Sequence, residues 1–240
     1  MRTYSWMVKI TPKDPETLEP LENESTSQIM FNYFNAGFEA GVSYRFDRFR
    51  KRHQKLFKAR KVNQIGYVVL LLPESRRDVL AQSLMCLWAV RSYGLSALSS
   101  TMRGGNQSLN NLVEIYINGS KLETPEDLKT LVVLNFKNYQ AGLDIWGKPK
   151  RAGVSAEPAI DDQIAEVVGL GGIRHELKVR SHIGKGYHLA QGSSIKINVF
   201  TDIPINYDGE PFIQRGPCEV HAALSHSRHT PFVSSCDSFR

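Results

Sequence analysis

Cysteine is scarce in this sequence. Its three cysteines, Cys86, Cys218 and Cys236, show neither the even count of a disulfide framework nor a metal-ligand spacing. That excludes a disulfide-stapled scaffold and points to a reducing compartment. Long apolar runs are missing too. The longest, Val68 to Leu72 and Leu84 to Val90, fall well short of the roughly 20 residues that span a bilayer, so any membrane contact is expected to be peripheral. No phosphate-gripping glycine loop can be found. The paired glycines Gly104-Gly105 and Gly171-Gly172 are followed by Asn106 and Ile173, and nothing resembles Gly-Gly-Asp-Gly-Thr. Gly169-Leu170-Gly171-Gly172 follows a strand but leads into Glu176-Leu177-Lys178-Val179, whose alternation reads as another strand. It therefore offers no helix N-terminus to hold an anion. Ile183-Gly184-Lys185-Gly186 lacks Walker spacing, His175 and His182 miss the zinc-helix spacing, and no Ser-His-Asp or Cys-His order stands out.

What is present is a soluble-type balance with one uneven feature. Hydrophobic residues make up 41% of the chain and charged residues 22%, enough for a buried core. The net charge of +6 is concentrated: Arg45 to Lys61 holds nine Lys or Arg residues against the single acid Asp47. A local basic stripe suits an anionic membrane surface, and equally a solvated helix face. Arg48, Arg52 and Lys55 are its candidate membrane-binding residues. The stripe lacks interleaved exposed aromatics and any nucleic-acid motif, so no nucleic-acid partner is expected.

Tyr4 to Ile10 reads as a strand and Lys13 to Ser27 as a loop. From Glu39, Val42, Phe46, Phe49, His53 and Leu56 recur at spacings of four and three, the period of an amphipathic helix. Ser75 and Asp78 form a capping-box-like start to a second helix carrying Val79, Leu80, Leu84, Leu87 and Trp88. Ser96 to Asn111 is loop-like. Then the period changes to two: Val113 to Ile117, Asn118-Gly119 and Ser120 to Leu122 predict a type I′ hairpin. Thr124-Pro125-Glu126-Asp127 reads as a helix start. Further strands are expected at Leu131 to Phe136, Ile164 to Leu170, Glu176 to Arg180, Ile195 to Phe200, Ile203 to Tyr207 and Cys218 to Leu224. Helices early and short strands late predict an α+β fold whose second half is a β-sandwich, with two or more amphipathic helices in the N-terminal half. Residues 225–240 are polar and expected to be a disordered tail.

Four blocks, in order, carry a family resemblance. They are Phe31-Asn32-Tyr33-Phe34-Asn35-Ala36-Gly37-Phe38-Glu39-Ala40, Ala165-Glu166-Val167-Val168-Gly169-Leu170, Leu189-Ala190-Gln191-Gly192 with Ser194-Ile195-Lys196-Ile197, and Ile205-Asn206-Tyr207-Asp208-Gly209-Glu210-Pro211. Together they resemble the accessory half of eukaryotic, especially plant-type, diacylglycerol kinases. Tyr139 to Gly147 fits the same pattern, with Trp146 as a packing anchor. The resemblance implies residues 1–30 as strand and linker from the boundary with a catalytic domain, and residues 31–224 as the accessory domain. It also places Met1 at an internal boundary.

The resemblance further implies ATP-dependent phosphorylation of diacylglycerol to phosphatidic acid, with Mg²⁺ and ATP as cofactors of the complete enzyme. The partners it implies are diacylglycerol, an anionic membrane surface and the catalytic domain, in the cytoplasm at the membrane periphery. Carried over, Glu210 is the proposed base, Asp208 the acid facing metal or nucleotide, and Asn35 a candidate nucleotide contact. Asp161 and Asp162 match a metal-holding acidic pair, although Gln163 stands where relatives have glycine. Without the glycine-rich half, the chain alone is expected to be inactive. The alternative is a non-catalytic lipid-interaction or regulatory module built on the basic helix.

Overall fold

A computed structural model describes residues 4–52, 108–140, 142–147, 157–159 and 161–225. Two six-stranded antiparallel sheets pack face to face. The first runs in the order β2 (Thr26–Met30), β1 (Trp6–Pro12), β14 (Cys218–Leu224), β11 (Ser194–Val199), β4 (Val113–Ile117) and β5 (Ser120–Lys121). The second runs β10 (Tyr187–Gly192), β9 (Ala165–Leu170), β6 (Thr130–Leu134), β3 (Tyr33–Gly37), β12 (Ile203–Tyr207) and β13 (Glu210–Gln214). A small hairpin joins β7 (Asn138–Tyr139) to β8 (Leu143–Asp144).

Period-two alternation sorts the side chains. In the second sheet Phe34, Ala36, Leu131, Val133, Ala165, Val167, Ile203 and Ile205 face the first sheet, where they meet Val8, Ile10, Ile115, Ile197 and Val220. Residues one step along, Tyr33, Val132, Leu134, Val168 and Leu170, face the other way. There they form a second core with Tyr139, Ile145, Trp146 and Val179. The second sheet is thus buried on both faces, which is why β6 and β9 are apolar almost throughout. Trp146 is fully buried in this outer core, as expected of a packing anchor.

Helix α1 (Phe38–Arg52) packs on β3, β12 and β13. Gly37 makes the abrupt strand-to-helix entry possible: its φ is +102°, and a Cβ there would lie 2.3 Å from the Lys129 carbonyl oxygen. Val42 is buried, whereas Arg48, Arg50, Lys51 and Arg52 are exposed.

Two expectations are corrected. Glu176 to Arg180 is not a strand but part of helix α2 (Ile173–Arg180). A five-residue window cannot separate the two periods, and burial of Glu176 and Val179, three apart, decides for the helix. Thr124 to Asp127 makes only a turn within the connection between β5 and β6. The fold is mostly two antiparallel sheets with one long helix among the described residues. The second amphipathic helix expected from Ser75, with Lys55 and residues 226–240 of the expected tail, lies outside them. Segment 1–30 supplies β1 and β2, and β1 sits between β2 and β14. No helix among the described residues is long and apolar enough to cross a membrane.

Candidate functional site

Asp208 and Gly209 form the two-residue turn between β12 and β13, with φ of 49° and 94°. Two successive positive φ values define the type I′ geometry that Asp-Gly accepts. Glu210, opposite Tyr207, opens the edge strand β13 and is exposed. Asp208 is tied down. Its Oδ2 accepts the Phe31 N–H at 2.7 Å, and its Oδ1 accepts the N–H groups of Asn32 at 2.7 Å and Tyr33 at 3.0 Å. The Asp208 N–H donates to the Tyr33 carbonyl at 3.0 Å. The Gly209 N–H donates to Asn206 Oδ1 at 3.1 Å. Three N–H donors on one carboxylate are charge-assisted bonds that lock the β2–β3 turn onto the hairpin tip.

Behind this tip, polar side chains are buried on the outer face of the second sheet beside its apolar core. Asn35 and Asn206 stand opposite each other on β3 and β12. Asn35 is fully buried; its Nδ2 donates to the Tyr139 hydroxyl, and its Oδ1 has no partner. Tyr139 in turn donates to Glu39 Oε2 at 2.6 Å. Arg180, at the end of α2, bonds Glu39 Oε1 and also reaches Glu176 Oε1 at 3.1 Å and Gln140 Oε1 at 3.1 Å. Two buried carboxylates thus converge on one guanidinium, with Glu176 Oε2 left unpartnered.

Burial, and then the neighbouring Glu39 charge, push Glu176 well above the ordinary carboxylate range. Burial also drives the Tyr33 phenol up to about 12, helped by Glu39 and opposed by a hydrogen bond with Asn206. These residues were not singled out as a network from sequence, although Glu176 and Arg180 have the i,i+4 spacing of a helical ion pair.

The acidic pair at 161 and 162 divides. Asp161 is exposed. Asp162 Oδ1 accepts the Ile164 N–H at 2.9 Å, while its Oδ2 is buried without a donor. Glu166, fully buried on β9, also leaves Oε2 unpartnered, its other oxygen receiving Gln191 Nε2 at 3.2 Å. Burial raises the Glu166 pKa to about 7, opposed by that Gln191 bond and reinforced by the nearby Asp162 charge. Oxygen donors of this kind fit a hard cation such as Mg²⁺, although no cluster of three or more ligating side chains occurs among the described residues.

The loop Gly169 to Gly172 precedes a helix after all, so the reason given for excluding an anion there does not hold. Its Gly171 N–H nonetheless already donates to His175 Nδ1 at 2.9 Å. A cleft of about 730 Å³, lined by residues including His182, Lys185, Tyr187 and His188, lies along β10, at the opposite edge of the sheet from Glu210. The structure therefore brings Asp208 and Glu210 to one tip and Asn35 to the buried face behind it. Arg48 and Arg52 are exposed on α1, and Asp161 and Asp162 lie before β9.

Comparison with known proteins adds the family. The curated relatives include diacylglycerol kinase 2 of Arabidopsis thaliana, 28% identical over 89% of this chain and 26% of its own length. Diacylglycerol kinase 1 of Oryza sativa subsp. japonica is 29% identical over 85% of this chain and 40% of its length. Diacylglycerol kinase eta of Mesocricetus auratus is 28% identical over 84% of this chain and 15% of its length. The chain thus spans less than half of each of these relatives. Among solved structures, a putative diacylglycerol kinase from Bacillus anthracis str. Sterne aligns over 92% of this chain and 55% of its own, at 14% identity and a TM-score of 0.42. Residues 29–211 match the diacylglycerol kinase accessory domain family, and the chain belongs to that family.

Proposed function

We propose that this chain forms the lipid-side wall of a diacylglycerol kinase active site and supplies its general base, Glu210. The observation that carries the proposal is the clamped tip: an exposed carboxylate at the start of an edge strand, on a turn fixed by three backbone N–H bonds. Phosphoryl transfer demands position and charge stabilisation more than covalent chemistry from the protein. Glu210 would orient the acceptor hydroxyl of diacylglycerol and take its proton. The hydroxyl oxygen forms its bond to the γ-phosphorus as the bond to the bridging oxygen breaks, giving phosphatidate and ADP. The nucleotide has to be gripped elsewhere, because this sequence carries no glycine-rich phosphate loop.

Magnesium, when present, supplies neutralisation of phosphate charge. Within this chain Asp162 and Glu166 are the residues that would hold a structural cation, with Asp161 exposed beside them. The exposed arginines of α1, Arg48 and Arg52, would face an anionic bilayer. They equally support the second reading, a lipid-binding module without catalysis.

The test is to assay the purified chain with Mg-ATP and diacylglycerol, alone and with the separately expressed nucleotide-binding half of a diacylglycerol kinase. Phosphatidate formed only by the mixture is the expected result. Robust activity by the chain alone would overturn the division of labour. Phosphatidylserine-dependent liposome flotation with no activity in either arm would favour the binding module.

A further inference from the structure

Asp208 is the residue whose geometry says most beyond that reading. A carboxylate has about four lone-pair directions, and three of those on Asp208 are occupied by backbone donors of Phe31, Asn32 and Tyr33. The bonds at 2.7 Å lie at the short end for N–H to carboxylate oxygen. Asp208 itself sits in left-handed backbone with φ of 49°, and its own N–H is spent on the Tyr33 carbonyl. Both its main chain and its side chain therefore bind the same three-residue segment. A side chain so committed has little left to give a metal ion or a nucleotide. What it does have is a neighbour: Glu210 lies two residues on, just past a glycine with φ of 94° and nothing within 4 Å of its would-be Cβ. The Tyr207–Glu210 pairing sets where Glu210 leaves the turn, and the Asp208 bonds fix that whole tip against the Phe31–Tyr33 segment.

From this geometry we infer that Asp208 is a positioning residue for Glu210, and not a ligand of metal or nucleotide. It holds the hairpin tip against the Phe31–Tyr33 turn, so that Glu210 meets the lipid hydroxyl in one orientation. The inference rests on the reading of Glu210 as base. It adds that the aspartate acts only through that glutamate. A displacement of a reacting group by about 1 Å costs on the order of a hundredfold in rate, so a loosened tip is expected to be felt in kcat. The affinity for Mg-ATP should be untouched.

The test uses the full chain reconstituted with the nucleotide-binding half, comparing Asp208→Asn, Glu210→Gln and the double variant. Asp208→Asn keeps the turn residue and one acceptor oxygen, so it is the variant chosen to fold; a thermal melt and amide exchange at Phe31, Asn32 and Tyr33 check it. The expected result is a fall in kcat of about ten- to a hundredfold, faster exchange at those three amides, and unchanged Mg²⁺ and Mg-ATP requirements. The double variant should be no slower than Glu210→Gln alone. A merely structural aspartate would give additive losses, because its effect would not pass through Glu210.

Three results would overturn the inference: additive losses, full activity in Asp208→Asn, or a Mg²⁺ requirement raised tenfold or more. The last would make Asp208 a metal-facing acid. If Glu210→Gln is fully active, it is the base reading that fails. The exchange data then still report whether Asp208 holds the turn.

Discussion

Among the described residues, the sandwich contains two type I′ hairpins that look alike from their sequences and are used differently. Asn118-Gly119 links β4 to β5, with φ of 49° and 85°; Asp208-Gly209 links β12 to β13, with 49° and 94°. Each opening side chain reaches out to a neighbouring connection. Asn118 Oδ1 accepts the N–H groups of Ser193 and Ser194, both at 3.1 Å, and Asp208 accepts three N–H groups at 2.7 to 3.0 Å. One acceptor is a neutral amide, the other a carboxylate with shorter bonds. The residue that follows is Ser120 in one and Glu210 in the other. Among the described residues, the second hairpin adjoins a buried ionisable network, through Tyr33. The backbone geometry is therefore a common device, and what separates the two is charge placed at and behind the tip.

The largest effect should come from breaking that network. Arg180→Leu removes the guanidinium on which buried Glu39 and Glu176 converge, and is expected to cost about 3–5 kcal/mol in denaturant unfolding. A loss below the error of the measurement would show that the Arg180–Glu39 pair contributes nothing to stability. Next, Asp208→Ala should destabilise by about 1–3 kcal/mol and Asn118→Ala by less, about 0.5–1.5 kcal/mol. Equal losses at the two hairpins would erase the distinction drawn between amide and carboxylate.

A smaller, pH-dependent effect belongs to Glu166. Its folded-state pKa is raised from 4.5 to about 7, so between those values the folded protein holds a proton that the unfolded chain has released. Stability should therefore fall as pH rises from 4.5 to 7, and Glu166→Gln should flatten that part of the profile. An identical slope in the variant would remove Glu166 from the account. Mg²⁺ that restores stability at pH 8 in the parent but not in Glu166→Gln would mark the Asp162–Glu166 pair as a cation site.

The alternating strands were the most legible part of the chain. Ile203–Tyr207 and Cys218–Leu224 match to the residue, and the Asn118-Gly119 turn takes the geometry its dipeptide requires. The resemblance pointed to Asp208 and Glu210, and their shared hairpin tip is plain in the structure. Helix α2 was not legible, because five residues of charged and apolar alternation fit either period until burial chooses. The network of Tyr139, Glu39, Glu176 and Arg180 was hidden for a different reason. Tyr139 and Arg180 lie 100 and 141 positions from Glu39 in sequence, and only pairing of β3 with β6 and the docking of α2 bring them together. The triple clamp on Asp208 spans 175 to 177 positions and has no local signature at all.

The most direct measurement is the rate of phosphatidate formation by the reconstituted enzyme, with equivalent substitutions at the two hairpins. Glu210→Gln should lower kcat at least a hundredfold, within the range expected for loss of a general base, while Ser120→Ala leaves it unchanged. Wild-type kcat from a folded Glu210→Gln chain would contradict the assignment of this carboxylate to catalysis.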